Sequence, residues 1–303
     1  MTNLPIILPK SIVTDRLGFN SIAEIHKNLI LRKANFQHEP PFVDMSRLQW
    51  IDANMCAPLG AVLVRGAKDF DDLRISLPKS KTVEDILLRN GFLSAISQLP
   101  KRKDMQGTTI EFKIFKSSTI GMREFSGHAH RIIADRDGLV ISEGLKNHLV
   151  RNVLEIFNNS VIHSESSAGI FACGQFYPIK HRIRLTISDL GSGFLPKVIR
   201  HLGDSTITSS DAIKWAVKKG NTTKVGTPGG LGLGLLFEFI EINGGKMQIV
   251  SGNSLWQYEK GREACYNLTC PLLGTSVSIS INTGVGAKYS FLNEVDFDLE
   301  DLF

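Results

Sequence analysis

Apolar residues recur along this chain in two rhythms, and the first 120 residues switch between them. Helical spacing runs through 21–35 (SIAEIHKNLILRKAN) and returns in 80–96 (SKTVEDILLRNGFLSAI), where Ser80 or Thr82 supplies an N-cap. Strand patterns open 41–51 and fill 72–78 and 108–117, while 52–68 reads as a helix opened by Asp52. Strand–helix alternation of this kind predicts an α/β layer. The polar stretch 100–107 is a loop, and a domain boundary falls near residue 120, within SSTIGMREFSGHAHR, which reads as loop or strand.

The second half has a different order. Residues 138–164 predict one long helix or two consecutive ones, followed by strands at 169–181 and 182–191 paired as a hairpin. A stretch rich in Gly, Ser and Thr (194–229) holds one helical piece, SSDAIKWAVKKG. Residues 230–245 form a helix closed by a Gly-Gly C-cap, and antiparallel strands at 246–252, 262–270 and 274–282 finish the pattern.

Composition excludes more than it identifies. With 42% hydrophobic and 21% charged residues among 303, the chain resembles an ordinary soluble globular protein. No apolar run approaches the roughly 20 residues that span a bilayer. The N-terminus lacks a basic start and a small-residue cleavage site, so a cytoplasmic location is expected. Four scattered cysteines, without a His or Cys pair at zinc spacing, predict reduced thiols.

Charge is informative once divided. The last 13 residues, FLNEVDFDLEDLF, hold five acids and no Lys or Arg. Without them, 35 basic residues face 25 acidic ones, a net +10. A basic body and an acidic, aromatic tail suggest partners of opposite sign, or a tail folded on its own body. The basic residues are dispersed apart from KRK at 101–103, which does not suggest a nucleic-acid site.

Three separated pieces carry candidate chemistry. In EIFNNSVIH, Glu155 and Asn159 lie four apart and share a helix face. An Asn in mid-helix is disfavoured, yet its amide oxygen suits magnesium, and a carboxylate one turn earlier can orient an attacking water. In ISDLGSGF, a strand-end carboxylate, Asp189, can accept a hydrogen bond from an exocyclic amine, and the glycines beyond let backbone approach a flat base. In GGLGLGL (229–235), glycines open a helix whose free N–H groups suit phosphate. No Gly-Lys-Ser/Thr follows, so this is not a Walker A loop.

In this order the pieces resemble the Bergerat-fold ATPases, the superfamily of gyrase, heat-shock chaperone ATPases, histidine kinases and mismatch-repair ATPases. EIFNNSVIHS is similar to the N box, DLGSGF to the first glycine box, GGLGLGL to the second and GTSVSISI to the last strand; the match spans roughly 135–281. The resemblance implies ATP and Mg²⁺ as ligands. It gives Asn159 the metal and phosphates, Asp189 the adenine amine, and Gly191 and Gly193 the base pocket. Gly230, Gly232 and Gly234 would bind phosphate, Thr275 would help hold adenine, and Glu155 matches the water-activating acid. Residues 194–229 would be a mobile lid, from which Lys224 reaches the γ-phosphate or stays solvated.

FVDMSRLQWIDANMCAPLGAVL (42–63) resembles the core of STAS domains, through Asp44-Met45-Ser46 and Asp52, over roughly 20–118. Where that family presents a phosphorylatable Ser after the second Asp, this chain has Ala53. The expected architecture is therefore α/β in two domains. A STAS-like unit (1–120) precedes a Bergerat-fold sandwich (121–285) with a mixed, mainly antiparallel sheet and helices on one face, and an acidic tail (286–303) follows. The implied function is an Mg-ATP-dependent conformational switch in signalling, with slow or conditional hydrolysis. A protein partner would meet the STAS-like domain or the tail, and a homodimer stays open. The alternative is a protein serine kinase of the anti-sigma-factor type. A sensor histidine kinase fits less well, since GHAHR (His128, His130) is not read as part of a helical pair.

Overall fold

The computed structural model describes residues 4–35, 39–70, 73–135, 143–164, 166–221 and 232–284. Its architecture follows from one strand. In β8 (Arg182–Asp189), alternate side chains point to opposite faces. Ile183, Leu185 and Ile187 go to one apolar cluster, and Arg184, Thr186 and Ser188 to the other face. The partner β10 (Arg262–Asn282) repeats the alternation, with Val277, Ile279 and Ile281 against Ser276, Ser278 and Ser280. With β6 (Thr109–Phe115), β7 (Ile170–Tyr177) and β9 (Lys246–Glu259) they form a five-stranded sheet in the order β6-β7-β8-β10-β9. Every pairing in it is antiparallel, so the expectation of a mixed sheet is corrected.

Helices cover the apolar face. They are α5 (Thr119–Ile133), α6 (Glu143–His163), α8 (Ser209–Val217) and α9 (Gly232–Asn243). Phe125 of α5 stacks on Phe157 of α6 with ring centroids 4.1 Å apart, and Phe115 of β6 meets both edge-on. α5 corrects the reading of 117–131 as loop or strand. Its apolar residues Met122, Phe125, Ala129 and Ile132 fall at helical spacing, and Ser118 caps its first turn.

The opposite sheet face is covered too, by the first hundred residues. Here short parallel strands β1 (Ile6–Ile7), β3 (Phe42–Asp44) and β5 (Arg74–Ser76) form one sheet, and β2 (Ser11–Ile12) and β4 (Trp50–Ile51) another. Around them lie α1 (Arg16–Asn35), α2 (Cys56–Phe70), α3 (Lys81–Arg89) and α4 (Phe92–Ser97). α2 packs between α1 and strands β7 and β8, which explains why residues 56–63 are buried on every side. The expected helix at 80–96 is two helices, broken at Gly91 with φ +81°. Strand β6, ahead of the boundary at 120, is the edge of the large sheet, so that boundary does not separate the packing.

The contact between the halves is polar at its centre. Asp52 starts a 3-10 turn (Ala53–Met55) ahead of α2, but its carboxylate makes no cap. Instead it accepts from Thr14 N (2.9 Å), Thr14 Oγ1 (2.8 Å), Trp50 Nε1 (3.2 Å) and Arg184 Nη1 (3.3 Å). Asn54 Nδ2 donates to Thr186 Oγ1 at 2.8 Å, and Thr186 shares a hydrogen bond of 2.7 Å with Ser278. Asn54→Ala should lower stability by about 1–2 kcal/mol, since a buried pairing is lost with little apolar area. The urea midpoint checks this, and an unchanged midpoint removes Asn54 from the seam.

The last hairpin reaches beyond the sheet. Register shifts near Gly252 and Leu272 turn the far halves of β9 and β10 into a two-stranded ribbon that packs on α1. Thr269 N donates to Asn20 Oδ1 at 2.9 Å and Thr269 Oγ1 to Glu24 Oε1 at 2.9 Å. Segments read as separate strands are thus continuous through their bulges.

Candidate functional site

Period-2 alternation puts Asp189, the last residue of β8, on the helix-covered face with Ile187 and Leu185. There it is 2% exposed. Ser160 Oγ of α6 donates to Asp189 Oδ2 at 3.1 Å, and Gly191 N donates to Oδ1 at 2.9 Å. Thr275, directly opposite Asp189 in β10, adds a backbone hydrogen bond. Burial pushes the Asp189 carboxyl up to about 6, and the Gly191, Ser160 and Thr275 donors oppose that rise. With a donor on each oxygen and acceptor capacity left over, the ionised carboxylate suits one more buried N–H donor.

The turn after Asp189 is pressed against the end of α6. A Cβ at Gly191 would lie 1.7 Å from Ser164 O, and Ser192 N donates to that same oxygen at 3.0 Å. Gly193 takes φ +71°, where a Cβ would also fall 2.6 Å from Ser251 Oγ. That hydroxyl accepts from Phe194 N at 3.0 Å and donates to Gly274 O at 3.2 Å. The turn after Asp189, the end of α6 and the start of the closing stretch of β10 therefore share one corner.

Glu155 and Asn159 are half-buried on α6, one turn apart, while Asn158 faces the interior. Among the described residues no cluster of three or more His, Cys, Asp and Glu is placed to hold a metal by itself. α9 begins at Gly232 and packs beside α6. Gly234 is buried, and a Cβ there would come within 2.7 Å of Lys219 Cα, so its smallness serves a close contact with protein backbone. Lys224 and Gly230 lie outside the described residues, as do residues 222–229 of the expected lid. The earlier part of 194–229 is helical: α7 (Leu195–Leu202), which the sequence reading missed, and α8, which packs on β9.

Sequence reasoning also passed over Ser160. The signal was present in a small hydroxyl beside Asn159, on the helix side that faces the sheet. His128 is buried beside Phe115 and Phe125 on α5. In the first half, Asp44 Oδ1 accepts from Ser46 N (2.8 Å) and Ser76 Oγ (2.5 Å), and the Ser76 bond leads in holding its pKa down. Ser46 is a turn residue and Ala53 is buried.

No family model matches the chain, and no curated protein matches it.

Proposed function

We propose that this protein binds Mg-ATP in the corner around Asp189 and acts as an ATP-dependent conformational switch of the Bergerat type, with a STAS-like first half. One observation carries the reading. A carboxylate at the end of a central strand is buried, tied to the helix that bears Glu155 and Asn159, and faces the strand that bears Thr275. Burying an ionisable group costs free energy, and groups kept at that cost concentrate at sites of recognition or catalysis.

In this reading Asp189 accepts the adenine amine and so rejects guanine, whose carbonyl at that position is itself an acceptor. The close backbone of Gly191 and Gly193 shapes the base pocket. Asn159 holds Mg²⁺ together with the phosphates, as suits an ion that keeps few protein ligands. Glu155, one turn earlier, orients the water that attacks the γ-phosphate. Gly232 presents the N-terminal N–H groups of α9 to phosphate oxygens. Buried Ala53 offers no acceptor hydroxyl where a STAS partner carries one, which disfavours phosphoryl transfer within the chain.

γ-labelled ATP with Mg²⁺, followed in protein and free phosphate together, tests this in wild type and Asn159→Ala. Free phosphate that falls at least tenfold in the variant supports the switch. Label retained on protein converts the reading to a kinase. Absence of ATP binding at millimolar nucleotide, measured by equilibrium dialysis, overturns it.

A further inference from the structure

The end of the sheet remote from Asp189 carries a second assembly of chemistry. Tyr177 closes β7, and after a four-residue turn Arg182 opens β8. Lys180 Nζ and Arg184 Cζ lie 5.9 and 5.6 Å from the centre of the Tyr177 ring. Ile179, at the tip of the turn, is 94% exposed. Trp50 comes from the other half of the molecule and is 53% exposed, joined to Arg184 through Asp52. Asp52 already has four donors, so it adds little free negative charge to the surface. Arg182 Nε is buried with no partner, and its Nη2 reaches Asn282 Oδ1 only at 3.4 Å. The result is a cationic surface with apolar and aromatic anchors, built from both halves. Trp, Tyr and Arg are the residue types that dominate binding hot spots.

The described chain ends at the rim of this surface. Thr283 N donates to His181 O at 2.8 Å, and a Cβ at Gly284 would lie 3.7 Å from His181 Cβ. About seven residues further on begins 291–303, with its five acids, three Phe and no Lys or Arg. Seven residues span roughly 23 Å when extended, ample to reach across the turn. A tether of that length holds the segment at an effective concentration on the order of millimolar.

We propose that the surface formed by Trp50, Tyr177, Ile179, Lys180, Arg182 and Arg184 binds an acidic, aromatic-studded peptide, and that residues 291–303 of the same chain occupy it. The acids meet Lys180, Arg182 and Arg184, and the Phe and Leu side chains meet Ile179, Tyr177 and Trp50. Because Trp50 and Tyr177 come from different halves, the bound segment fastens both together. A partner presenting a similar peptide has to displace it first. This docking requires no nucleotide and is independent of the function proposed for Asp189.

The test uses the full chain with photoreactive benzoylphenylalanine in place of Ile179, where high exposure leaves the fold undisturbed. Irradiation without ATP, followed by peptide mass spectrometry, should find cross-links to 291–303 within one chain. Lys180→Glu should cut that yield about fivefold, as should 0.5 M salt. Cross-links joining two chains would overturn occupancy in cis. Cross-links confined to other residues, or a yield indifferent to both Lys180→Glu and salt, would overturn the docking surface itself.

Discussion

Asp189→Asn is expected to weaken ATP binding roughly 100-fold and, at the same pH, to raise the melting temperature of the ligand-free protein. Both effects come from one buried carboxylate. Asn presents an amide N–H where an acceptor is needed, or turns and loses the Gly191 contact, and either mismatch costs about 2–3 kcal/mol, roughly 100-fold in affinity. Stability moves the other way. Burial raises the Asp189 pKa from the ordinary 3.8 to about 6, so the folded protein holds a proton that the unfolded chain releases. A raised pKa of this kind contributes stability at pH below about 4 and loses it as pH climbs through about 6. At pH 7 the ionised group therefore costs up to about 3 kcal/mol relative to a neutral isostere. Asn lifts that cost, and the Ser160 hydroxyl can accept from the new amide as readily as it donated to the acid. Asp44, Asp69 and Asp104 have lowered pKa values and act in the opposite sense, but at more acid pH. Thermal melts of wild type and variant at pH 5, 6 and 7 should thus diverge most at pH 7 and converge towards pH 5. ATP affinity of the wild type should fall as pH drops below 6. Wild-type affinity in Asp189→Asn would sink the adenine role, and a lower melting point at pH 7 would sink the burial cost.

Gly191→Ala is expected to cost about 3 kcal/mol or more and to take nucleotide binding with it. A methyl group would stand 1.7 Å from Ser164 O, a backbone atom with little freedom to retreat. To admit it, the turn must leave α6, breaking the Ser192–Ser164 hydrogen bond and moving the Gly191 N–H off Asp189. Losses this large come from a short set of causes, and a backbone clash inside a hydrogen-bonded turn is one. Gly127→Ala is the internal comparison. That glycine sits in α5 with nothing within 4 Å of the added methyl, and Ala should stabilise by about 0.5–1 kcal/mol through helix propensity. Urea midpoints read both substitutions, and a wild-type midpoint for Gly191→Ala would mean the turn does not lie on α6.

How much was legible follows from the range over which each signal acts. Asp189 with its glycines was readable because a strand ending in Asp-x-Gly-x-Gly is a local pattern with a local cause. Glu155 and Asn159 were readable from their spacing on a helix. Strand β6 looked like any alternating strand, but its allegiance to the large sheet is decided by pairing with β7, some sixty residues away. Helix α5 was obscured by its glycines and histidines, which lower local propensity while the apolar face still packs. Gly252 and Gly274 looked like strand ends, whereas both serve as bulges that bend a continuous hairpin. Ser276 and Ser278 of β10 are buried against Ser188 and Thr186 of β8, and Thr186 in turn meets Asn54, a match between polar surfaces that no one segment announces by itself.

The ribbon against α1 governs the order in which the chain can mature. Asn20 and Glu24 find Thr269 only across some 245–249 positions of sequence. During synthesis at about 5–20 residues per second, the first helix emerges tens of seconds before the strand that completes its packing. Until then Phe19, Ile22 and the apolar face of α2 lack the surface they finally share with Leu255, Leu268 and Leu272. The first half is translated early yet completed last, so a stalled or truncated chain exposes just the surface that chaperones hold and that aggregates form from.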